Sequence, residues 1–575
     1  MQAVTTTAPP ETEERSGRGL TGVHRFQVVC IAVTLVACVP YLWVLWDLWS
    51  GTLNPLRIDG TTDANPIYGV QTRALLHGHL WIPPGSIAGE AFVANHHQYT
   101  YFGLFPSLIR IPVFLFTSSL DDRLTAPSLL CAWLVTAVFS SLLLWRLRTF
   151  LRGNDVALEW PEAASYGLLL GSILVGSVLV YLAAVPDTYS EDLAWSVALA
   201  CGSLFALVGV LERPSWSRVT ACGVLILLTN LNRATTGYAA VGAALLIAIW
   251  FALGRAGPEK RQWALPVGIA GLLPMLVGCA VDLAKFGQLF GVPASSQLLY
   301  KEFGYAHLDG GQYFGLRFLP STLQAYVDPL NFRFSSLFPF ITLPDLPAHL
   351  IAHTTLFSRT LTANVPLSMP LLFALGVLGV IVAFTPGGAP EFRGLRILLI
   401  TSMLTAGTVM VFGWVLERFV ADFLPLLIVA GMIGMIDLWR RLEGRSRVAR
   451  AFSLGAIATL ALFSVWANLG FASTPDPNWT PTQLTNFVTA QQSVSNVTGH
   501  PLDSDIVVGP HSPWPAPMGT LYIQGRCSKL FLADQAPPRS LKAAFFISWF
   551  EVEQAPHTSL CRSLLGKASP VTGHG

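Results

Sequence analysis

The sequence predicts an all-α polytopic membrane protein of about 11 transmembrane helices (reckoned at about 20 apolar residues per span), carrying a small mixed α/β domain at a C-terminal, extracytoplasmic end. Three observations carry that expectation. Of 575 residues, 52% are hydrophobic and 12% charged, with a mean hydropathy of +0.54, whereas a soluble domain has roughly 25% charged residues. Apolar runs long enough to cross a bilayer recur between residues 26 and 469. Short basic connections alternate between them with long polar ones. A net charge of +2 gives no footprint for nucleic acid, which needs a basic patch or stripe. The absence of a glycine loop followed by Lys-Ser/Thr argues against ATP-driven transport by this chain alone.

Taken in order, residues 1–22 are polar, rich in Thr, Pro and Glu, and read as a disordered cytoplasmic tail without the layout of a signal peptide. Spans are expected near 26–48, 125–145, 164–185, 193–211, 218–231, 235–253, 264–284, 366–384, 396–413, 419–438 and 451–469. The run 104–118 is apolar too, but Pro106, Arg110 and Pro112 break it, so it is expected to lie along the interface without crossing. Lys and Arg decide the orientation. Eighteen of the 35 basic residues fall in six short segments, among them Arg146, Arg148 and Arg152, and Arg440, Arg441, Arg445, Arg447 and Arg450. These segments share one side only if 104–118 does not span. The expected layout is a multi-pass protein of the bacterial inner (plasma) membrane, N-terminus cytoplasmic and C-terminus extracytoplasmic. Its membrane domain covers 23–469, with outer loops 50–124 and 285–365, and an extracytoplasmic domain covers 470–575. No internal repeat is visible.

Cys30, Cys38, Cys131, Cys201, Cys222 and Cys279 fall in spans and read as small apolar residues. Cys527 and Cys561 stand alone in the C-terminal outer segment, where a disulfide between them suits an oxidising compartment. That segment also holds short β-like runs at 506–508, 521–523 and 544–547. In the 285–365 loop, Phe332, Phe334, Phe338 and Phe340 are too apolar for a soluble connection. They either pack on the bundle or border a groove for a prenyl chain.

The polar chemistry gathers on the outer side. Asp59 and Asp63 precede a helix opened by Pro66 and closed near Leu75, Leu76 and Gly78. An aspartate there is placed to take a proton from an acceptor hydroxyl; the plainer reading makes Asp63 an N-cap and Asp59 a turn residue. Arg233, beside Asn230 and Asn232 where two spans turn, is costly unless it is paired or faces a wet cavity. Arg418 and Asp422, four residues apart on one helical face, are able to satisfy each other. Asp187, Glu191 and Asp192 form an acidic group in which Glu191 or Asp192 caps the fourth span, or which, with Asp63, holds a divalent cation such as Mg, Mn or Ca. The adjacent His96 and His97 point apart, which disfavours a shared zinc. Tyr99, Tyr101 and Trp81 serve either as sugar platforms or as interfacial anchors.

An acidic residue after the first span, a helix containing Tyr68 and ending Leu75-Leu76-His77-Gly78, and then Trp81-Ile82-Pro83-Pro84 resemble the first outer loop of GT-C membrane glycosyltransferases. Asp282-Leu283-Ala284-Lys285-Phe286-Gly287, followed by Val292-Pro293 and Tyr300, is similar to their element at the outer end of a middle span. Arg418-Phe419-Val420-Ala421-Asp422-Phe423-Leu424-Pro425 resembles the one opening a late span. Together these elements cover residues 23–440. The chain departs from the pattern at Asp63-Ala64, where a second acid is common, and at Asp282, where Asn is usual. Tyr101-Phe102-Gly103-Leu104-Phe105-Pro106 replaces the Lys-Pro-Pro element of the aminoarabinose transferases.

The resemblance implies a polyprenyl-phosphate-linked sugar donor, a cell-envelope glycan or glycolipid acceptor, membrane lipids as the setting, and inverting transfer on the outer face. It implies Asp63, or else Asp59, as base, and Arg418, Arg233, Lys285 and Arg110 at the donor phosphate. Tyr68, His96, His97, Tyr99, Tyr101, Glu191, Asp192, Asp282 and Asp422 are then substrate-binding. The Ala-, Gly- and Arg-rich usage suggests an actinobacterium, with arabinosyl or mannosyl transfer by analogy. The rival classes are a secondary transporter or lipid flippase, which calls for mid-span charges and repeats, and a non-catalytic scaffold.

Overall fold

The computed structural model describes residues 21–46, 48–49, 67–121, 123–153, 156–291, 294–298, 312–329, 332–334, 338–343, 358–359, 362–386, 391–473 and 481–498. Its helices are α1 (Gly22–Leu45), α2 (Ile67–Leu76), α3 (Phe105–Phe114), α4 (Thr125–Arg152), α5 (Trp160–Leu174), α6 (Leu179–Ala184), α7 (Thr188–Glu212), α8 (Trp216–Asn232) and α9 (Ala234–Ala252). They continue as α10 (Ala264–Phe286), α11 (Leu319–Val327), α12 (Val365–Ser368), α13 (Pro370–Phe384), α14 (Glu391–Met410), α15 (Leu424–Leu442), α16 (Arg447–Ala472) and α17 (Pro481–Thr498). Among the described residues, strand is confined to three two-stranded pairs. β1 (Phe92–Ala94) and β2 (His97–Tyr99) are antiparallel, as are β3 (Arg333–Phe334) and β4 (Ile341–Thr342), while β5 (Ser358–Arg359) runs parallel to β6 (Trp414–Val415).

Among the described residues eight helices are long and apolar enough to cross a membrane: α1, α4, α7, α9, α10, α14, α15 and α16, with α10 and α15 extended by the 3-10 turns that precede them. The chain is a polytopic α-helical membrane protein. The other three expected spans are helical but short. The stretch 164–185 breaks into α5 and α6 around Gly176, which packs against Ser172 and Ser464. α8 has 17 residues and α13 has 15. α3, with 10 residues, reaches about 15 Å, half of a hydrocarbon core of about 30 Å. It is too short to span that core by itself, and Leu108 and Ile109 on it and Leu115 and Phe116 just after it are exposed.

α7 and α15 form the buried centre, while α1 and α16 turn Ile31, Leu35, Val36, Phe452 and Leu462 outward, as lipid contact requires. α13 and α15 approach most closely through glycines. A Cβ on Gly379 would fall 1.9 Å from the Ala430 carbonyl, and one on Gly434 would fall 2.1 Å from that of Leu375. Without a hydrophobic drive between helices in lipid, such close backbone packing is what holds a pair together. Gly379→Val is therefore expected to cost several kcal/mol, roughly the overpacking penalty or more, and to appear as a lowered unfolding temperature in detergent. An unchanged temperature would show that α13 is able to move aside.

Alternation of the passes brings the N-termini of α4, α7, α9 and α15 and the C-termini of α8, α10 and α14 to one end, together with the connection 67–121. At the opposite end Glu162 accepts from Arg148 (3.0 Å), Arg152 (2.7 Å) and the Tyr166 hydroxyl (2.6 Å), tying α4 to α5. The six cysteines named in spans are all unpaired thiols. Phe332 packs on Phe463 and Phe471, and Phe334 on Trp466, so this part of the Phe-rich segment lies against α16. Phe338 and Phe340 lie beside each other, and Phe338 packs edge-on against Trp49. Phe487 of α17 is buried against Trp49. Cys527, Cys561 and the three strand-like runs lie outside the described residues.

Candidate active site

Local sequence delivers each polar group to the common end. Asp187 accepts from Ser190 N at 2.7 Å and so caps α7, placing Tyr189, Glu191 and Asp192 in its first turns. Arg233 has extended backbone, φ −142° and ψ 116°, and closes α8 while opening α9. Its guanidinium consequently leaves the bundle between two helix ends. After β6 the chain forms a 3-10 turn, Glu417–Phe423, before α15, and this turn carries Arg418 and Asp422.

Three arginines make four ion pairs at this end. Arg233 takes Asp422 in a fork, at 3.2 and 2.8 Å, and Asp192 at 2.7 Å. Asp192 also accepts from the Tyr68 hydroxyl at 3.3 Å. Arg110 pairs with Glu191 at 2.6 Å, donates to Thr125 and lies 5.4 Å from the Tyr68 ring centre. Arg418 has a longer contact, 3.5 Å to Asp187, lies 4.0 Å over the Tyr189 ring, and buries an Nε that finds no acceptor among the described residues. Lys285, buried on α10, donates to the carbonyls of Thr100 (3.1 Å) and Phe102 (3.0 Å). The next residue, Gly103, comes so close to the end of α8 that a Cβ would fall 2.1 Å from the carbonyl oxygens of Leu231 and Asn232. Lys285 and Gly103 thus fix the strand of chain that walls the site.

Arg233, Asp192, Arg418, Lys285 and Gly103 line a cavity of about 410 Å³. Its polar part is bounded by Glu90, Tyr101, Asp192, Arg233, Asp282, Lys285 and Arg418. Its apolar part includes Phe314 and Phe412, which stack at 4.7 Å where segments 313–315 and 411–413 pair antiparallel. Leu289, Phe290 and Phe314 are all more than half exposed nearby. Glu90 accepts from Gln297 Nε2 at 3.2 Å and from the Tyr189 hydroxyl. Burial pushes its carboxyl above the usual carboxylate range, against the opposing pull of those hydrogen bonds and of the Arg418 charge.

Of the residues singled out by sequence, Arg233, Arg418, Lys285, Asp192, Asp282 and Tyr101 line this cavity, and Asp422 stands behind Arg233. Asp59 and Asp63 lie outside the described residues. Arg110 and Glu191 neutralise each other away from the cavity wall. Tyr68 is buried beneath it. His96 and His97 sit at the β1–β2 turn, where His96 takes φ +63° and the His97 ring stacks on Trp81 at 4.9 Å; neither lines the cavity. Tyr99 is buried against Phe286. The expected pairing of Arg418 with Asp422 does not form: in a 3-10 turn, residues four apart leave the shared face, and Asp422 turns to Arg233. Asp187, Glu191 and Asp192 each take a different cationic partner, and among the described residues no His, Cys, Asp and Glu group of three is placed to hold a metal. Sequence reasoning missed Glu90, Tyr189 and Gln297. One signal was present, because Glu90 is the sole Asp, Glu, Lys or Arg between Arg73 and Arg110.

A polytopic helical membrane protein with a mixed polar and apolar cavity at one end of the bundle is the class this geometry defines. No family model matches the sequence, and no curated protein matches it. Among solved structures, the chain is similar to the Archaeoglobus fulgidus oligosaccharyltransferase in its apo form, at 16% identity and a TM-score of 0.43, over 78% of this chain and 56% of that one. The chain thus spans little more than half the length of that protein. It is also similar to ArnT from Cupriavidus metallidurans bound to undecaprenyl phosphate, at 11% identity and a TM-score of 0.38, over 94% of this chain and 88% of that one.

Proposed function

We propose that the protein is an integral membrane glycosyltransferase of the GT-C type, moving a sugar from a polyprenyl-phosphate carrier to a cell-envelope glycan or glycolipid at the outer face. One observation carries the reading: one cavity presents an arginine whose buried Nε–H has no acceptor among the described residues, beside an apolar wall that includes the half-exposed Phe314. A donor made of a prenyl chain, a phosphate and a sugar has that same order of chemistry. The motif resemblance and the basic residues at the opposite helix ends support the same orientation, with the N-terminus cytoplasmic and the C-terminus outside.

In this reading a carboxylate of the first outer loop, Asp63 or Asp59, takes the proton of the acceptor hydroxyl. The hydroxyl oxygen attacks the anomeric carbon, the bond from that carbon to the phosphate oxygen breaks, and its electron pair stays on the phosphate, so the anomeric configuration inverts. Arg418 offsets the charge gathering on the leaving phosphate in a place with little water. Arg233 holds Asp192 and Asp422, and through them the wall, in position. Arabinose and mannose are the donor sugars suggested by the actinobacterial composition. No step is routed through a divalent cation.

The test is transfer by purified protein in liposomes, using radiolabelled polyprenyl-phospho-arabinose or polyprenyl-phospho-mannose with envelope glycan as acceptor. Label should move to the glycan, and Asp63→Asn or Asp59→Asn should slow it by about 10²–10⁴-fold, the usual worth of a general base, with the protein still folded. A scaffold or transporter would move no label, and undiminished transfer in both variants would remove the base from this loop.

A further inference from the structure

Glu90 lines the cavity and has no part in the scheme above. Glu90 ends the 3-10 turn Ala88–Glu90, which sets its carboxyl in the cavity wall. Its hydrogen-bond donors are neutral: Gln297 Nε2, itself held through Oε1 by the Tyr313 hydroxyl at 3.2 Å, and the Tyr189 hydroxyl. The charged and titratable groups facing it are Arg418 from the 417–423 turn, Asp187 and Tyr189 from the start of α7, and Tyr101 from the chain after β2. Tyr189 joins the two sides of the cluster. Its hydroxyl binds Glu90, and the Arg418 guanidinium lies over its ring. Arg418 is therefore set between two carboxylates, Asp187 in contact and Glu90 across the tyrosine.

The other cations of the cavity are already committed, Arg233 to two carboxylates and Lys285 to two carbonyls. An anion entering the cavity must draw on Arg418, and the charge it meets there depends on whether Glu90 holds a proton. Taking the cavity as a lipid-phosphate site, as proposed above, we infer that Glu90 sets the anion affinity of Arg418. The protonated carboxyl lets a lipid-borne phosphodiester bind, and the ionised one offsets the arginine and weakens it. Glu90 is a positioning residue in this scheme, acting on the substrate through Arg418. Because burial already holds its carboxyl above the usual range, the change falls at higher pH than for a free carboxylate. Affinity is greatest below that range and declines as pH rises through it, and bound phosphate must in turn favour the protonated form.

The experiment uses the full chain in lipid nanodiscs and a farnesyl methyl phosphodiester as probe. This probe keeps one negative charge from mildly acidic to mildly alkaline pH, so its own ionisation adds no slope. Wild-type affinity should fall with rising pH by about tenfold for each pKa unit by which the bound probe raises Glu90. Glu90→Gln should flatten the profile and, on the alkaline side, bind more tightly than wild type by the same factor. A damaged fold does not gain affinity. A Glu90→Gln variant that keeps the wild-type slope, or binds more weakly at every pH, overturns the inference. Equal binding by wild type and Arg418→Gln overturns instead the phosphate reading beneath it.

Discussion

Arg233→Met is expected to destabilise the folded protein by about 3–5 kcal/mol, the usual result of stripping one partner from a buried ion pair. Asp192 and Asp422 are 4% and 1% exposed at the side chain and share this one arginine. Without it two carboxylates stand within the bundle, with the Tyr68 hydroxyl on Asp192 as their remaining side-chain donor among the described residues. Arg233→Lys should recover only part of the loss, because an ammonium is unable to reproduce the fork to Asp422. Adding Asp192→Asn and Asp422→Asn to Arg233→Met should restore most of it, since no charge is then left unpaired. Thermal unfolding in detergent reads all three. If Arg233→Met unfolds at the wild-type temperature, the triad does not hold α7, the α8–α9 joint and the 417–423 turn together.

Arg418→Gln should leave the fold intact and slow sugar transfer by about 10²–10³-fold, the cost of removing one donor aimed at developing charge. The prediction separates the two arginines of the cavity. Arg233 has both ends of its fork committed, whereas Arg418, among the described residues, has a 3.5 Å carboxylate contact and a buried Nε without an acceptor. Arg418→Lys should keep part of the activity through its charge and lose what depends on a planar fork. A variant that transfers at the wild-type rate would move the phosphate site elsewhere.

The spans were legible because lipid imposes one rule on every element: backbone groups are satisfied within the helix and the surface is apolar. That rule placed α9 and α10 within two residues of their ends, while α4 runs seven residues past its expected end and α7 begins five before its expected start; Pro106 and Pro112 marked the short α3. Breaks such as Val175–Val178 between α5 and α6 were not legible, since no proline or charge marks them and only the packing of Gly176 against Ser172 and Ser464 shows the cause.

The site was half legible. The cost of a charge where two spans turn flagged Arg233, and the motif resemblance flagged Arg418, Lys285 and Asp282. Their partners were hidden by distance along the chain. Arg233 finds Asp422, 189 positions on, and Gln297 reaches Glu90 across 207. The helical spacing of Arg418 and Asp422 misled because a 3-10 turn occupies that stretch.

The most direct test is a cryo-electron microscopy reconstruction of the protein in nanodiscs with a non-hydrolysable polyprenyl phosphono-sugar. The account predicts the phosphonate within hydrogen-bond reach of the Arg418 guanidinium and the prenyl chain leaving past Phe314 and Phe412. Ligand density away from this cavity, or a phosphonate held by other residues with Arg418 still facing Asp187, would contradict it.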